Sequence, residues 1–580
     1  MTYVHNRPED FVAEALRGLV KAHPGRLRSV PGGIARADGT RPGKVAVVVG
    51  GGSGHYPAFA GLVGDGLADA AVCGDIFTSP STRQVIDVCR AADAGAGVFV
   101  TLGNYAGDVL NFGAAASRLR AQGTDVTILL VTDDVASAPA ERAAERRGVA
   151  GDLVVFKLAG AAAEEGADLA EVNRLATRAN ERTQSFGVAF GGCTLPGNDH
   201  PLFSLRPGEV GWGLGIHGEP GIGEEPLPTA AALAAELVDR VLAERPADAD
   251  GRAAVLLNGL GNVKYEELFV LWDGVNDLLL ERGVRLVAPL VGEYVTSLDM
   301  AGCSLTVTWL DDELERLWLA PADTPGFQHG GWRTAPESVP AETASDAETE
   351  LVPATTAEGA LAAKTVTRLL RRAQVALHQA EQMLGDLDAV AADGDHGRGM
   401  RRGIDAAVDA AEAAVEAGGD APSALRRAAD AWADRAGGTS GALWGVGLLA
   451  LADALPPDAP VTLDQLVAGI TAARDQVQAV GGAQVGDKTL VDALHPAVEA
   501  LAASVARGSA PTEAWQNTVR AAREGAASTE NIAARRGRAR VLGDKSLGVP
   551  DPGATSLVLI LGEAGAELGI PAPVNPKVES

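Results

Sequence analysis

Through the first 330 positions, apolar residues come in short, mostly β-branched runs, each followed by a turn rich in glycine or acid and then by an alanine-rich stretch. Val45–Val49 leads into GGGSGHY, Val98–Leu102 into GNYAGD, Val126–Val131 into TDDVA, and Val255–Leu257 into NGLG. Continuous apolar runs of this length suit strands that helices cover on both faces. The pattern predicts an α/β first part, residues 1–330, with two lobes dividing near 185–250.

The period then changes. Residues 331–356, GWRTAPESVPAETASDAETELVPATT, lack a repeating apolar face and are rich in Pro, Thr, Ser, Ala and Glu, the composition of a linker or of a surface loop. Beyond them Leu361, Val366, Leu369, Leu370, Ala373, Leu377, Ala380 and Leu384 recur near helical spacing. Alanine-rich segments 403–418, 423–436, 464–478, 492–506 and 511–527 continue the theme. An all-helical domain over 357–580 is expected.

Composition narrows the classes. A chain of 580 residues with 46% hydrophobic content exceeds one ordinary core and reads as a folded multidomain protein. A net charge of −27 argues against general affinity for nucleic acid or anionic membranes, so a phosphate-rich ligand needs a local solution. The cysteines at 73, 89, 193 and 303 show no C-x-x-C spacing, which fits reduced thiols. The first twenty residues do not read as a signal peptide, and no apolar stretch reaches membrane-spanning length. A soluble, cytoplasmic protein is expected.

Candidate chemistry in the first part centres on three residues. His217 sits among glycines in GLGIHGEPG, where close approach of a ligand is one explanation. His55 follows Gly50–Gly54, a strand–glycine–helix pattern whose backbone N–H groups suit an oxygen-rich ligand. The segment lacks the lysine and hydroxyl of a P-loop and fails the dinucleotide fingerprint, so a tight turn without ligand is the competing reading. Asp108, in LGNYAGDVLNF, either caps a helix or stands as a carboxylate at the carboxyl edge of a sheet.

In the second part, DAVAADGDHGRGM places Asp388, Asp393 and Asp395 around a glycine-broken turn at a helix end. Such acid density repels itself unless a cation intervenes, and magnesium takes oxygen ligands while keeping phosphates or water. A solvated acidic turn is the alternative; the calcium-loop register is absent. Thr439 and Ser440 in GGTSGALWG stand at an expected helix start, suited to a phosphate or to an ordinary N-cap. Residues 537–556 read as a loop near a site, with Arg538 or Lys545 available to phosphate.

The chain resembles, over nearly its whole length, the single-chain ATP-dependent dihydroxyacetone kinases. The matching blocks are GGGSGHYPAFAGLVG, CGDIFTSPS, GNYAGDVLNF, GIHGEPG, GEYVTSLDMAG, DGDHGRGM, GGTSGALWG, GDKT and DPGATS. The resemblance implies that His217 forms a covalent hemiaminal with a ketose carbonyl, that His55 hydrogen-bonds substrate and assists proton movement, and that Asp108 is the general base. It implies substrate contacts at Gly52, Ser53, Gly103 and His217, and ATP contacts at His396, Thr439, Ser440, Gly486, Arg538, Asp551 and Gly553. Asp388, Asp393 and Asp395 would hold two magnesium ions, in a barrel of antiparallel helices, and the enzyme would be a homodimer. Gly215 and Gly218 would then clear the approach of the carbonyl to His217.

Several positions depart from the family. Gly103 replaces a frequent lysine, Gly211 and Trp212 replace a carboxylate and an aliphatic residue, and VLGDKS carries Lys545 where arginine is frequent. The first three suggest room for a longer sugar, so D- or L-erythrulose joins dihydroxyacetone and glyceraldehyde as a candidate substrate. Two other classes remain open: a kinase recharged by a phosphotransferase-system protein, and a ketose-binding regulator without turnover. A flavin-nucleotide cyclase side activity is compatible with the resemblance.

Overall fold

The computed structural model describes residues 4–330, 352–354, 356–391, 394–436, 438–535 and 546–567. They fall into two compact units, 1–339 and 340–580. Of the stretch expected as a linker, the described residues at its end are fastened to the second unit: the Val352 N–H donates to Ser423 Oγ at 3.0 Å and the Ala354 N–H to the Gly418 carbonyl at 3.0 Å.

The first unit opens with α1 (Phe11–Ala22) and contains two main sheets. The first sheet has β1 (Leu27–Val30), β2 (Gly33–Arg36), β3 (Ala46–Ser53), β4 (Ala70–Ile76), β5 (Val98–Gly103) and β6 (Val126–Val131), in the order β1-β2-β4-β3-β5-β6. β4, β3, β5 and β6 run parallel, and the β1–β2 hairpin adds antiparallel strands at one edge. Of the apolar runs seen in the sequence, Val45–Val49 and Val98–Leu102 lie in the central strands β3 and β5, and Val126–Val131 is the edge strand β6, with β3 buried from Ala46 to Gly52. Helices α2 (Thr82–Ala92), α3 (Ala106–Ala121), α4 (Gly151–Glu164) and α5 (Leu169–Glu181) follow or cover these strands. A capping box between Ser81 and Gln84 starts α2, and the Asp168 carboxylate caps α5.

The second sheet is mainly antiparallel. It comprises β7 (Thr183–Gly191), β8 (Glu209–Trp212), β9 (Gly223–Pro226), β10 (Arg252–Gly259), β11 (Arg285–Leu286), β12 (Leu290–Gly292) and β13 (Ala301–Trp309). The order is β11-β10-β13-β7-β8-β9, with β12 beside β10. Helices α6 (Ala230–Leu242), α7 (Tyr265–Glu281) and α8 (Asp312–Leu319) complete it. Phe99 in the first sheet and Phe186 in the second are nearly fully buried, so truncating either to alanine should cost about 3–5 kcal/mol.

One expectation fails here. After the glycines of β3 comes a series of turns and the short 3-10 turn Ala60–Leu62, not an α-helix whose N-terminus could receive a ligand. The glycines serve packing instead: a Cβ on Gly52 would lie 2.7 Å from the Thr78 nitrogen. Trp212, expected to bear on substrate, is buried with Phe186 in the second sheet's core, and a Cβ on Gly211 would meet Leu214.

The second unit is helical: α9 (Ala357–Ala391), α10 (His396–Glu416), α11 (Ala421–Ala436), α12 (Gly438–Asp453), α13 (Leu463–Gly481), α14 (Leu490–Ala506), α15 (Pro511–Ser528) and α16 (Pro552–Glu567). Each helix packs on the next, and α16 returns to α9, closing a ring. Capping boxes at Thr462 and Thr489 start α13 and α14. The Trp432 and Trp444 rings stack across α11 and α12, with centroids 5.1 Å apart.

Candidate active site

β3 lies between β4 and β5 in the first sheet, and ligands of open α/β sheets gather where strand order reverses, beyond the carboxyl ends. His55 follows β3 and Asp108 follows β5 there. The β8–β9 loop of the second sheet brings His217 to the same place. His55 Nε2 and His217 Nε2 are 3.0 Å apart, with the rings nearly perpendicular. The other nitrogen of His55 faces the Thr296 carbonyl at 2.8 Å, and that of His217 faces Glu219 Oε1 at 3.0 Å.

Burial pushes the His55 imidazole down to about 3, helped by charge on His217 and opposed by Thr296 and Glu219. Glu219 moves the other way from what burial alone would dictate: its bonds to the His217 ring and backbone hold it down at about 2. Arg147 stands 3.9 Å behind the Glu219 carboxylate and is itself paired with the buried Asp134 at 2.7 Å. Gly215 has a reason beyond access for the carbonyl, because a Cβ there would collide with the Glu219 carboxylate and the Arg147 guanidinium. Gly218 adopts a left-handed φ of +81°, and its α-hydrogen side faces the Phe203 ring.

Asp108 is in the first turn of α3 but does not cap it; the cap position is Tyr105, without a side-chain bond. Asp108 is 8% exposed, and its Oδ1 has no hydrogen-bond partner. Burial raises its affinity for protons, while Ser79 and charge on His217 lower it, so the two residues share an electrostatic environment. Beneath it, Asp152 is 1% exposed with an unpartnered Oδ1, and burial with the Asp133 and Asp108 charges pushes its carboxyl well up.

Phe77, at a left-handed φ of 52°, stacks on His55 at 5.1 Å and meets His217 edge-on at 5.2 Å. Gly52 and Gly54 let it come this close, and Ser53 donates to the Gly74 carbonyl at 2.7 Å. Gly103 does not leave open room, contrary to expectation. A Cβ there would lie 3.1 Å from the Tyr105 ring and 3.2 Å from the Gly148 carbonyl.

In the second unit, the ends of five helices gather. Asp388, near the end of α9, is buried, and its Oδ2 accepts the His396 N–H at 3.2 Å; Asp395 precedes α10 and is exposed. His396 Nε2 is 3.1 Å from Ser556 Oγ on α16, and Ser440 Oγ on α12 is 3.5 Å from the other ring nitrogen. Thr439 is exposed in the first turn of α12. Gly486 has φ +95° and donates to Asp492 Oδ1 at 2.6 Å. Asp551 Oδ1 accepts the Ala554 N–H at 2.7 Å at the start of α16, beside Gly553.

Burial, with the Asp492 and Asp388 charges, pushes the Asp551 carboxyl up to about 7, against the opposing pull of Ala554 and Lys488. Converging carboxylates of this kind are the oxygen donors that magnesium takes, so the residues present fit that ion. Among the described residues, no group of three His, Cys, Asp or Glu side chains is already arranged to hold a metal. Asp393, Arg538 and Lys545 lie outside the described residues.

Glu219, Thr296, Tyr105, Phe77 and Asp152 were not singled out from the sequence. Glu219, Thr296, Tyr105 and Phe77 had a signal, since they stand inside the blocks GIHGEPG, GEYVTSLDMAG, GNYAGDVLNF and CGDIFTSPS. Asp152 had none beyond its charge.

The Dak1 domain family matches residues 17–326 and the DAK2 domain family residues 390–565. The chain is 52% identical over 566 residues to a D-erythrulose kinase of Mycolicibacterium smegmatis, covering 96% of this chain and 97% of that protein. It is 51% identical over 572 residues to an L-erythrulose kinase of Pectobacterium atrosepticum, covering 98% and 97%. The crystal structure of the dihydroxyacetone kinase from C. freundii in complex with AMP-PNP and Mg2+ is similar at a TM-score of 0.58 and 31% identity, covering 98% of this chain and 99% of that one. With a Dak1 and a DAK2 region in one polypeptide, and relatives about half identical along nearly all of it, the chain belongs to the family of single-chain, ATP-dependent ketose kinases.

Proposed function

We propose that this chain transfers the γ-phosphoryl group of ATP to a terminal hydroxyl of a four-carbon ketose, D- or L-erythrulose, held as a hemiaminal on His217. The observation that carries the reading is the pairing of His55 and His217 at 3.0 Å beyond the carboxyl edge of the first sheet, where the buried Asp108 carboxylate, with one oxygen unpartnered, feels the charge on His217. The erythrulose kinases at 51–52% identity support the substrate class.

His217 Nε2 bonds the carbonyl carbon, fixing a chain that would otherwise hydrate or cyclise and aiming one terminal hydroxyl. Asp108 accepts that hydroxyl's proton, and burial makes it a stronger base than a solvated carboxylate. Asp388 and Asp395, with Asp393, would hold magnesium, which offsets charge on the nucleotide phosphates. Two ions, and nucleotide contacts at His396, Thr439, Ser440, Gly486, Arg538, Asp551 and Gly553, belong to the same reading and rest on the family resemblance. So do a homodimer and a cytoplasmic location, the latter supported by four free, buried cysteines.

The test is ketose-dependent ADP release by the purified chain with ATP and Mg2+ and without any phosphocarrier protein. D-erythrulose, L-erythrulose, dihydroxyacetone and D-glyceraldehyde are compared. An erythrulose enantiomer should give the highest kcat/KM; dihydroxyacetone ahead by about ten-fold would overturn the four-carbon assignment. No ketose-dependent turnover would overturn the kinase reading.

A further inference from the structure

His217 arrives at the site on a loop of the second sheet, and a side chain from the edge of the first sheet meets that loop. Asp134 follows β6 and Arg147 precedes α4. The Asp134 N–H donates to the Arg147 carbonyl at 3.1 Å, and Ser137 Oγ accepts the Arg147 N–H at 3.1 Å, so the segment between them is closed on itself. The Val135 N–H donates to the Ser185 carbonyl on β7 at 3.0 Å, which fastens the same segment to the second sheet.

The Arg147 guanidinium has its directions assigned. Its Nε donates to Asp134 Oδ2 at 2.8 Å, while Nη2 lies 2.7 Å from that same oxygen and donates to the Gly213 carbonyl at 3.1 Å. The group is a rigid plane, so these bonds also fix where its remaining nitrogen goes. Nη1 stands 3.9 Å from Glu219 Oε2, the oxygen that accepts the His217 N–H at 3.0 Å; the other Glu219 oxygen faces His217 Nδ1 at 3.0 Å. Asp134 is buried and the Arg147 side chain is only 15% exposed, so solvent screens this pairing weakly. All of it closes over the α-carbon of Gly215: a Cβ there would lie 2.6 Å from Arg147 Nη1 and would collide with the Glu219 carboxylate.

We propose that Arg147 is a positioning residue for ketose capture. Anchored by Asp134 and the Gly213 carbonyl, it holds the Glu219 carboxylate in register with both the main chain and the ring of His217, and thereby sets the direction in which His217 Nε2 points. A lysine cannot substitute, because one ammonium nitrogen does not span Asp134, Gly213 and Glu219. The inference deepens the reading of His217 as the ketose anchor and rests on it.

The experiment is a mutant cycle on the full-length chain without nucleotide, read as the calorimetric Kd of D- and L-erythrulose. Removing Arg147 alone would strand the Asp134 charge, so the two are neutralised together as Asp134→Asn with Arg147→Gln. With Glu219 present, this pair of changes should weaken ketose binding by about 10- to 100-fold, the size of loss that misdirecting a reacting group causes. In a Glu219→Gln chain the same changes should add little, since the residue they act through is already altered. KM for ATP should not move in either chain. Arg147→Lys, which leaves a cation beside Asp134, should show the same ketose-specific loss to a smaller degree. Equal losses with and without Glu219, no loss at all, or wild-type ketose affinity in Arg147→Lys would each overturn the proposal. Absence of an adduct mass with erythrulose in the wild-type chain overturns the covalent reading, whereas an adduct without coupling between Arg147 and Glu219 overturns the role of Arg147 alone.

Discussion

The ring of Tyr105 stands edge-on to that of His217, with centroids 4.6 Å apart, while its hydroxyl donates to the Gly148 carbonyl at 3.0 Å. The tyrosine thereby braces the imidazole from the side that Gly103 leaves without a side chain. Tyr105→Phe keeps the ring and removes one bond, so stability should fall by about 0.5–1.5 kcal/mol with kcat/KM little changed. Tyr105→Ala removes the brace, and kcat/KM should fall much further. Denaturant titration beside steady-state kinetics separates the two losses.

Asp108→Asn should lower kcat by about 100- to 10,000-fold while leaving the ketose adduct detectable by intact mass, because the base acts after carbonyl capture. The wild-type pH profile carries a related signature. Burial raises the Asp108 carboxyl above the ordinary carboxylate range, and only its ionised form accepts a proton. Activity should therefore fall as pH drops through that raised value. The asparagine variant should lack this acid limb; an unchanged limb would assign it to another group.

Gly103→Lys tests the wall directly. The added Cβ has the Tyr105 ring at 3.1 Å and the Gly148 carbonyl at 3.2 Å, so the strand or the ring must yield. Overpacking of this kind costs about 1–3 kcal/mol. Thermal or chemical unfolding should register the loss, and kcat/KM should drop for three- and four-carbon ketoses together. A stable variant that merely switches preference to dihydroxyacetone would show that the site does have space there.

Removing magnesium with a chelator, or replacing Asp388 by asparagine, should abolish ADP release without affecting capture of the ketose. His55, Asp108 and His217 belong to the first unit and Asp388 to the second. Intact-mass detection of the adduct in chelated protein is the decisive measurement. Loss of the adduct on chelation would mean that the metal acts on ketose binding as well.

Much of the architecture was legible because periodicity reflects burial. Val98–Leu102 and Val126–Val131 became β5 and β6, and Leu370, Ala373, Leu377, Ala380 and Leu384 became the inner face of α9, whereas Leu361 is exposed. The helix expected after Gly50–Gly54 did not form, since those glycines answer to the backbone at Phe77 and Thr78 across the turn, a contact distant in sequence. His55, His217 and Asp108 could be named from their glycine-rich settings. Thr296 stood inside a matching block, yet its role was not legible, because it acts on His55 through a main-chain carbonyl, and any residue type supplies one. Gly103 misled for a similar reason: the absence of a side chain says nothing about which neighbour, here Tyr105, moves into the place.

The short segment 296–298 receives the His55 ring on its first carbonyl, bonds the His55 and Gly54 carbonyls through the Thr296 and Leu298 N–H groups, and ties the Ile216 carbonyl through Ser297 Oγ. Both reactive rings are thus hung from a single tripeptide, and their separation is insulated from changes elsewhere along the cavity lining. Side-chain changes around the pair that spare this tripeptide therefore leave the spacing of the two imidazoles to the main chain.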